Sequence, residues 1–257
     1  MRPYPAHRQN PEKTLNQENA NNVTRRYYCQ NLTGAAAILE GSEAHHLKNV
    51  MRAKAGQTVL LFDGQGLECQ AEVLRVDRQR AELQILSRDR PDRELPFVLE
   101  LAVALPKGDR QKWLVEKAVE LGATRLTPLR TERSVAQPEG KAIERLRRAV
   151  IEASKQCGRC RLMEIAEPRM WSEYAAEPPE TQQTLQLTAD PAGEPIASAM
   201  LAEPWKQIRV AIGPEGGFSE VEASPENWRR VGLGPRILRV ETAAIALAAM
   251  VAMRPEA

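Results

Sequence analysis

The periodicity of the chain changes across Pro91–Pro96, a charged, proline-flanked joint, and that change decides which kinds of domain can lie on either side. Before the joint, Leu67, Cys69, Ala71 and Val73 alternate with Glu68, Gln70 and Glu72, as half-buried strands require. Val59 to Phe62 is an apolar run closed by Asp63-Gly64, a strong turn signal. Asp77 to Arg80 turns the chain again, and Ala81, Leu83 and Ile85 repeat the alternation. Ser42 with Glu43 starts one short helix through His45 and Val50. The expectation is a small β-barrel or sheet domain over residues 24–92.

After the joint, strands alternate with helices. Phe97 to Leu105 reads as a buried strand. Asp109 is placed to cap a helix whose Trp113, Leu114, Val115, Ala118 and Leu121 form an apolar face, and Gly122 ends it. Leu126 to Leu129 is a short strand, and a helix from about Glu139 to Gln156 turns Ile143, Leu146 and Val150 inward. Leu162 to Ile165, Thr184 to Leu187 and Ile208 to Ile212 read as further strands. Ser219-Glu220-Val221-Glu222 has the capping-box pattern and is expected to start a helix. Such alternation implies an α/β domain over residues 96–257, a mostly parallel sheet covered on both faces.

Composition excludes several classes. The longest apolar stretch, Ala243 to Met253, has eleven residues, short of the ~18 a membrane span needs, and reads as a buried helix. The N-terminus lacks a hydrophobic signal core, and four cysteines in 257 residues make no disulfide framework, so a cytoplasmic protein is expected, with no membrane partner. Residues 1–23, with four asparagines and a glutamine between Asn16 and Asn22, have little to bury and read as a disordered tail.

Two C-terminal segments concentrate the chemistry. Ile212-Gly213-Pro214-Glu215-Gly216-Gly217-Phe218-Ser219 follows an apolar run, and its three glycines let the backbone approach a ligand closely. It matches neither a P-loop nor a dinucleotide fingerprint. Leu233-Gly234-Pro235-Arg236-Ile237-Leu238-Arg239-Val240-Glu241-Thr242-Ala243 leads into a helix apolar all round, which must be buried. Net charge is only +2, yet between Lys141 and Arg161 seven Lys/Arg stand against two acids. Phosphate neutralisation dominates RNA affinity, so this cluster, with Arg125, Arg130 and Arg133 nearby, points to RNA. Cys157-Gly158-Arg159-Cys160 falls at a helix end, where no dipole lowers a thiol pKa, and lacks a second pair for zinc. No metal site is expected. His45-His46 reads as a phosphate contact or as a helix-start pair.

Ordered motifs carry a resemblance: Leu105 to Arg110, Lys117 to Gly122, Pro128-Leu129 through Ser134, Gln156 through Arg159, and the two C-terminal segments. From about Arg25 to Val251 the chain resembles the RsmE family of the SPOUT superfamily, which methylates N3 of a uridine in 16S ribosomal RNA. The resemblance implies a PUA-like RNA-binding domain followed by a trefoil-knotted SPOUT domain, a homodimer, and the assembled small ribosomal subunit as substrate. Small residues such as Ala243, Ala244, Ala246, Ala248 and Ala249 suit the crowding of a knot. Three loops would hold S-adenosyl-L-methionine: the one after Leu187, the glycine loop through Ile212, Gly213, Glu215, Gly216 and Gly217, and the stretch through Leu233, Gly234 and Leu238. Arg133, Arg159 and Arg239 are the candidates to stabilise the uracil anion, and Glu241, a water or Glu120 to take its proton. Arg130, Arg145, Arg148, Lys155 and Gln156 are the candidate RNA contacts. The family often carries Glu where this chain has Lys155. On the residues alone a non-catalytic RNA-binding or ribosome-assembly factor, and an enzyme with another rRNA or tRNA target, stay open.

Overall fold

A computed structural model describes residues 25–253, apart from 78, 137–138, 197–204 and 224. The tail expected over residues 1–23 lies outside the described residues.

The first half builds β1 (Arg26–Tyr28), β2 (Ala36–Glu40), α1 (Gly41–His45) with a π-helical turn over His46–Val50, β3 (Thr58–Phe62), β4 (Glu68–Val76) and β5 (Arg80–Asp89). These strands form one curled sheet in the order β1-β3-β4-β5-β2, antiparallel except for β1 on β3. The period-2 pattern works as read: Cys69, Ala71 and Val73 are fully buried beside Leu61 and Leu83, and Gln70 faces solvent. At the turn, Asp63 accepts the amides of Gln65 and Leu67, and Gly64 takes φ +78°. Glu68 departs from its expected outward position. It is 8% exposed, because it faces the other half of the molecule.

The second half runs β6 (Val98–Val103), α2 (Arg110–Glu120), β7 (Arg125–Arg130), α3 (Lys141–Cys157), β8 (Glu164–Ile165), β9 (Arg169–Met170), α4 (Trp171–Ala176), β10 (Thr184–Pro195), β11 (Gln207–Ile212), β12 (Arg229–Gly232) and α5 (Val240–Ala252). Its seven strands are all parallel, in the order β12-β10-β11-β6-β7-β8 with β9 also on β7. Leu99, Leu101, Val210 and Ile212 face α2, α3 and α5 across the main core. Ala102, Ala104 and Ala211 face the other way, under Trp171, Tyr174 and Trp228. From the edge strand β12 the chain returns to the middle, where α5 packs on α2, β6 and β11. The end of β10 runs so close to β12 that a Cβ on Gly193 would lie 2.6 Å from the Arg230 carbonyl carbon. This is the SPOUT-type, knotted α/β architecture that the resemblance implied, joined to a PUA-like half-barrel.

Two local expectations fail. Among the described residues no helix directly follows the glycine loop: residues 220–222 form a turn, and Pro225 stands three residues beyond it. The capping-box contact itself forms, with the Ser219 amide donating to the Glu222 carboxylate at 3.1 Å. Asp109 precedes α2 without a side-chain cap, and the Gln111 side-chain Nε2 donates to the Pro106 carbonyl at 2.7 Å.

The joint between the halves is charged and largely dry. Lys155 on α3 donates to Glu43 of α1 at 3.0 Å, with their side chains 7% and 12% exposed. Glu68 accepts from Arg26 at 2.6 Å and from Arg93, and the Cys160 thiol lies against it. Arg159 pairs with Glu94 from the connecting segment.

Candidate functional site

The carboxyl ends of β10, β11 and β12 open into a cleft of about 360 Å³. Such a place is where parallel sheets bind ligands, since loops can vary there without disturbing the strands. Three segments wall it: Ala189-Asp190-Pro191 at the register shift within β10, the glycine loop after β11, and Leu233 to Leu238 after β12. Val231, Val240 and Ala243 give it an apolar floor. Of the residues expected to bind a cofactor, Ile212, Gly213, Glu215, Gly216, Gly217, Leu233, Gly234 and Leu238 line this cleft. Leu187 does not line it. Its side chain is fully buried in β10, and the cleft begins two residues later at Ala189.

The glycines have distinct reasons to be there. Gly217 and Gly234 take φ +70° and +101°, in the left-handed region that L side chains enter only with strain. A Cβ on Gly213 would approach the Phe218 ring to 3.1 Å. The loop is then pinned from outside. Arg133 donates to the Gly216 carbonyl at 2.9 Å. Phe218 stacks on Trp171 with ring centroids 4.8 Å apart, and the Trp171 indole donates to the Glu222 carbonyl. The first segment is fixed to β12 by Asp190 with Arg230, 2.7 Å, and Glu194 with Arg229, 2.7 Å.

Arg110, at the first position of α2, joins the two C-terminal segments: it reaches Glu215 of the glycine loop and Glu241 of α5, both at 3.4 Å. Glu241 is 5% exposed. Sequence reading quoted Arg110 only inside a motif. The signal available was its spacing just after a strand end, at the same edge where β11 and β12 release their loops.

The other candidates divide sharply. Arg239 is exposed at the start of α5, beside the cleft-lining Leu238 and Val240. Arg159 lies far from this arrangement: it is 4% exposed and donates to the Val119 and Ala123 carbonyls at 3.0 and 2.9 Å, as well as to Glu94. Its guanidinium is consumed by the joint. Lys155 likewise points into the joint, where it donates to Glu43 and Glu152 and approaches His46 Nδ1 at 3.3 Å. Arg145, Arg148 and Gln156 are exposed along α3, and Arg130 pairs with Glu139. Glu120, the alternative proton acceptor, is paired to Lys117 at the far end of α2.

An S-adenosylmethionine-sized ligand fits what this chain provides. The cleft volume lies within the usual ~300–1,000 Å³ for small-molecule sites. Its walls combine exposed glycine backbone with apolar side chains, and Glu215 stands exposed among the lining residues.

Comparison with known proteins agrees with this geometry. A family model described as an RNA methyltransferase domain matches residues 93–252, and one described as an RNA methyltransferase PUA domain matches residues 39–86. The ribosomal RNA small subunit methyltransferase E of Synechocystis is 34% identical over 216 residues, covering 81% of this chain and 70% of the relative. The protein of the same name from Bacillus subtilis is 28% identical, covering 80% and 85%. The crystal structure of ribosomal RNA small subunit methyltransferase E from Neisseria gonorrhoeae bound to S-adenosyl methionine superposes with a TM-score of 0.81 at 29% identity, covering 89% of this chain and 96% of that one. With both halves matched in order and at this identity, the chain belongs to the RsmE family of ribosomal RNA small subunit methyltransferases.

Proposed function

We propose that this protein transfers a methyl group from S-adenosyl-L-methionine to N3 of a uridine in 16S ribosomal RNA, acting on the assembled small subunit. The observation that carries the reading is the three-segment cleft at the carboxyl ends of β10, β11 and β12, in a chain of this family. Residues 24–92 serve as the RNA-binding domain and 96–257 as the catalytic one.

The bound cofactor supplies an electrophilic methyl on a sulfonium. The chain's own residues do the rest. Peptide groups of the glycine loop and of Leu233 to Leu238 hold the ligand's polar edges, while Ile212, Val231 and Val240 cover its apolar faces. Uracil N3 must lose its proton to become nucleophilic, and the charge then spreads onto the flanking carbonyl oxygens. Arg133 and Arg239, poised at two sides of the cleft, stabilise that anion, and preorganised positive charge is often the largest catalytic term. Glu241, two residues before the cleft-lining Ala243, is the carboxylate that takes the proton. Arg159 and Lys155 do not take part, because their charged groups are engaged in the joint. The exposed Arg145, Arg148 and Gln156 give α3 a basic face for phosphates.

The active form is a homodimer. Trp113 on α2 and Met250 on α5 leave large apolar surface exposed on two helices that pack together, a surface a second copy would cover. A cytoplasmic location follows from the substrate, and among the described residues no helix is long and apolar enough to cross a membrane.

Calorimetry with S-adenosyl-L-methionine tests the cofactor. Mass mapping of 16S RNA from a deletion strain, with and without added protein, tests the base. Loss of the N3-methyl signal on deletion and its return with protein is the expected result. A signal that survives deletion refutes the target, and no ligand binding at submillimolar concentration favours a non-catalytic RNA-binding factor. A monomer by light scattering refutes the dimer.

A further inference from the structure

The two segments that wall the cofactor cleft are far apart in the chain, and the glycine loop has little stiffness of its own. A loop holding three glycines within five residues has the largest backbone freedom to lose when it is ordered. Its geometry must therefore be imposed from outside. Arg133 fixes one side through the Gly216 carbonyl, and the Phe218–Trp171 stack fixes its end. Arg110 hydrogen-bonds both segments at once: one guanidinium nitrogen faces Glu215 in the glycine loop and another faces Glu241 in the first turn of α5.

Two features make this contact more than a surface ion pair. The Glu241 side chain is 7% exposed, so its carboxylate depends on the guanidinium to offset lost hydration. And Arg110 is the first residue of α2, a helix packed against α5, so its backbone is held relative to the second segment while its side chain reaches the first. A rigid planar fork is the side chain suited to hold two carboxylates at a set distance.

We propose that Arg110 is a positioning residue that sets the spacing between the two cofactor-holding segments, acting through Glu215 and Glu241. The inference rests on the cofactor reading above and adds a part to it. It makes no direct contact with the ligand necessary. Its signature is therefore indifference to ligand charge: the sulfonium donor and the uncharged thioether product, S-adenosylhomocysteine, lose affinity together.

The test is calorimetric affinity of the full chain for both ligands, in wild type, Arg110→Ala, Arg110→Lys and the double variant Arg110→Ala with Glu241→Gln. Arg110→Ala is expected to weaken both ligands about fivefold, and Arg110→Lys to recover only part of that, since an ammonium cannot fork. The double variant, freed of a buried unpaired charge, regains thermal stability but not affinity. Unchanged affinities in a folded Arg110→Ala variant overturn the inference. So does tighter binding of the donor relative to the product, which would mean Arg110 acts only by offsetting negative charge in the cleft. A wild-type chain that binds neither ligand overturns the cofactor reading, and this inference with it; a wild type that binds both isolates any failure to Arg110.

Discussion

Replacing Lys155 by methionine should loosen the joint between the two halves while leaving the cofactor cleft intact. The ammonium sits 3.0 Å from Glu43 and 5.9 Å from the centre of the Tyr27 ring, and its side chain is only 7% exposed. Methionine keeps the packing of the stem and removes the charge. Breaking a buried pair by removing one partner costs about 3–5 kcal/mol, because the survivor is left unpaired. Glu43 keeps one partner, the Tyr28 amide at 3.1 Å, and is 12% exposed, so the lower end, about 3 kcal/mol, applies. At about 2–4 °C per kcal/mol for a chain of this size, Tm should fall by about 6–12 °C. Thermal unfolding followed by circular dichroism measures it. The double variant Lys155→Met with Glu43→Gln should recover most of the loss, since a neutral pair leaves no buried charge. A Tm within about 2 °C of wild type, or losses that simply add in the double variant, would refute the reasoning. Affinity for S-adenosyl-L-methionine should not move, and if it does, the joint is coupled to the cleft.

Gly217→Ala places a Cβ at φ +70° in open space, so the penalty is strain alone, about 1–2 kcal/mol; thermal unfolding should show Tm falling by about 2–8 °C, and calorimetry should show weaker cofactor binding wherever the loop relaxes to escape that strain. Gly193→Ala is a different case: its Cβ would lie 2.6 Å from backbone of β12, so the end of β10 must shift, and the variant should accumulate as insoluble protein or lose several degrees of Tm. Arg133→Ala removes the donor to the Gly216 carbonyl and a cation beside the cleft; steady-state kinetics should show kcat falling by at least about tenfold, and an unchanged kcat would remove Arg133 from the mechanism. Burial pushes the thiols of Cys29, Cys69 and Cys160 up, so the folded chain keeps them protonated where the unfolded chain ionises. Stability from this source is whole below the ordinary thiol range, about pH 8.5, and is lost as pH rises above it; urea midpoints at pH 7.5 and pH 10 check the sign.

Much of the fold was legible because its strands announce themselves locally. Val59 to Phe62 is an apolar run of strand length, Ile208 to Ile212 is one interrupted only by Arg209, and both lie in strands. The edge strand β12 was not legible, since Arg229 and Arg230 make it look like a polar loop. An edge strand tolerates such residues, and here they reach Glu194 and Asp190 on β10. The six-residue α4 was too short to show a period, although its Trp171 and Tyr174 close one face of the sheet. Within the site, the glycine loop and the segment after β12 could be named from composition because backbone access is a local property. What an arginine or lysine is bonded to is not local. Arg159 and Lys155 have the residue type that RNA binding needs, and only the fold reveals Glu94, 65 residues away, and Glu43, 112 away.

The cleft floor comes from Val240 and Ala243, in a helix that must return beneath the close approach already made by the end of β10 to β12. A nascent chain halted between the glycine loop and α5 therefore possesses that loop, the basic helix and the complete half-barrel, but no place for a methyl donor. Competence is acquired in one late step, when the last apolar turns slide home. Synthesis cut short upstream of them yields a protein that can touch RNA but has no means to mark it.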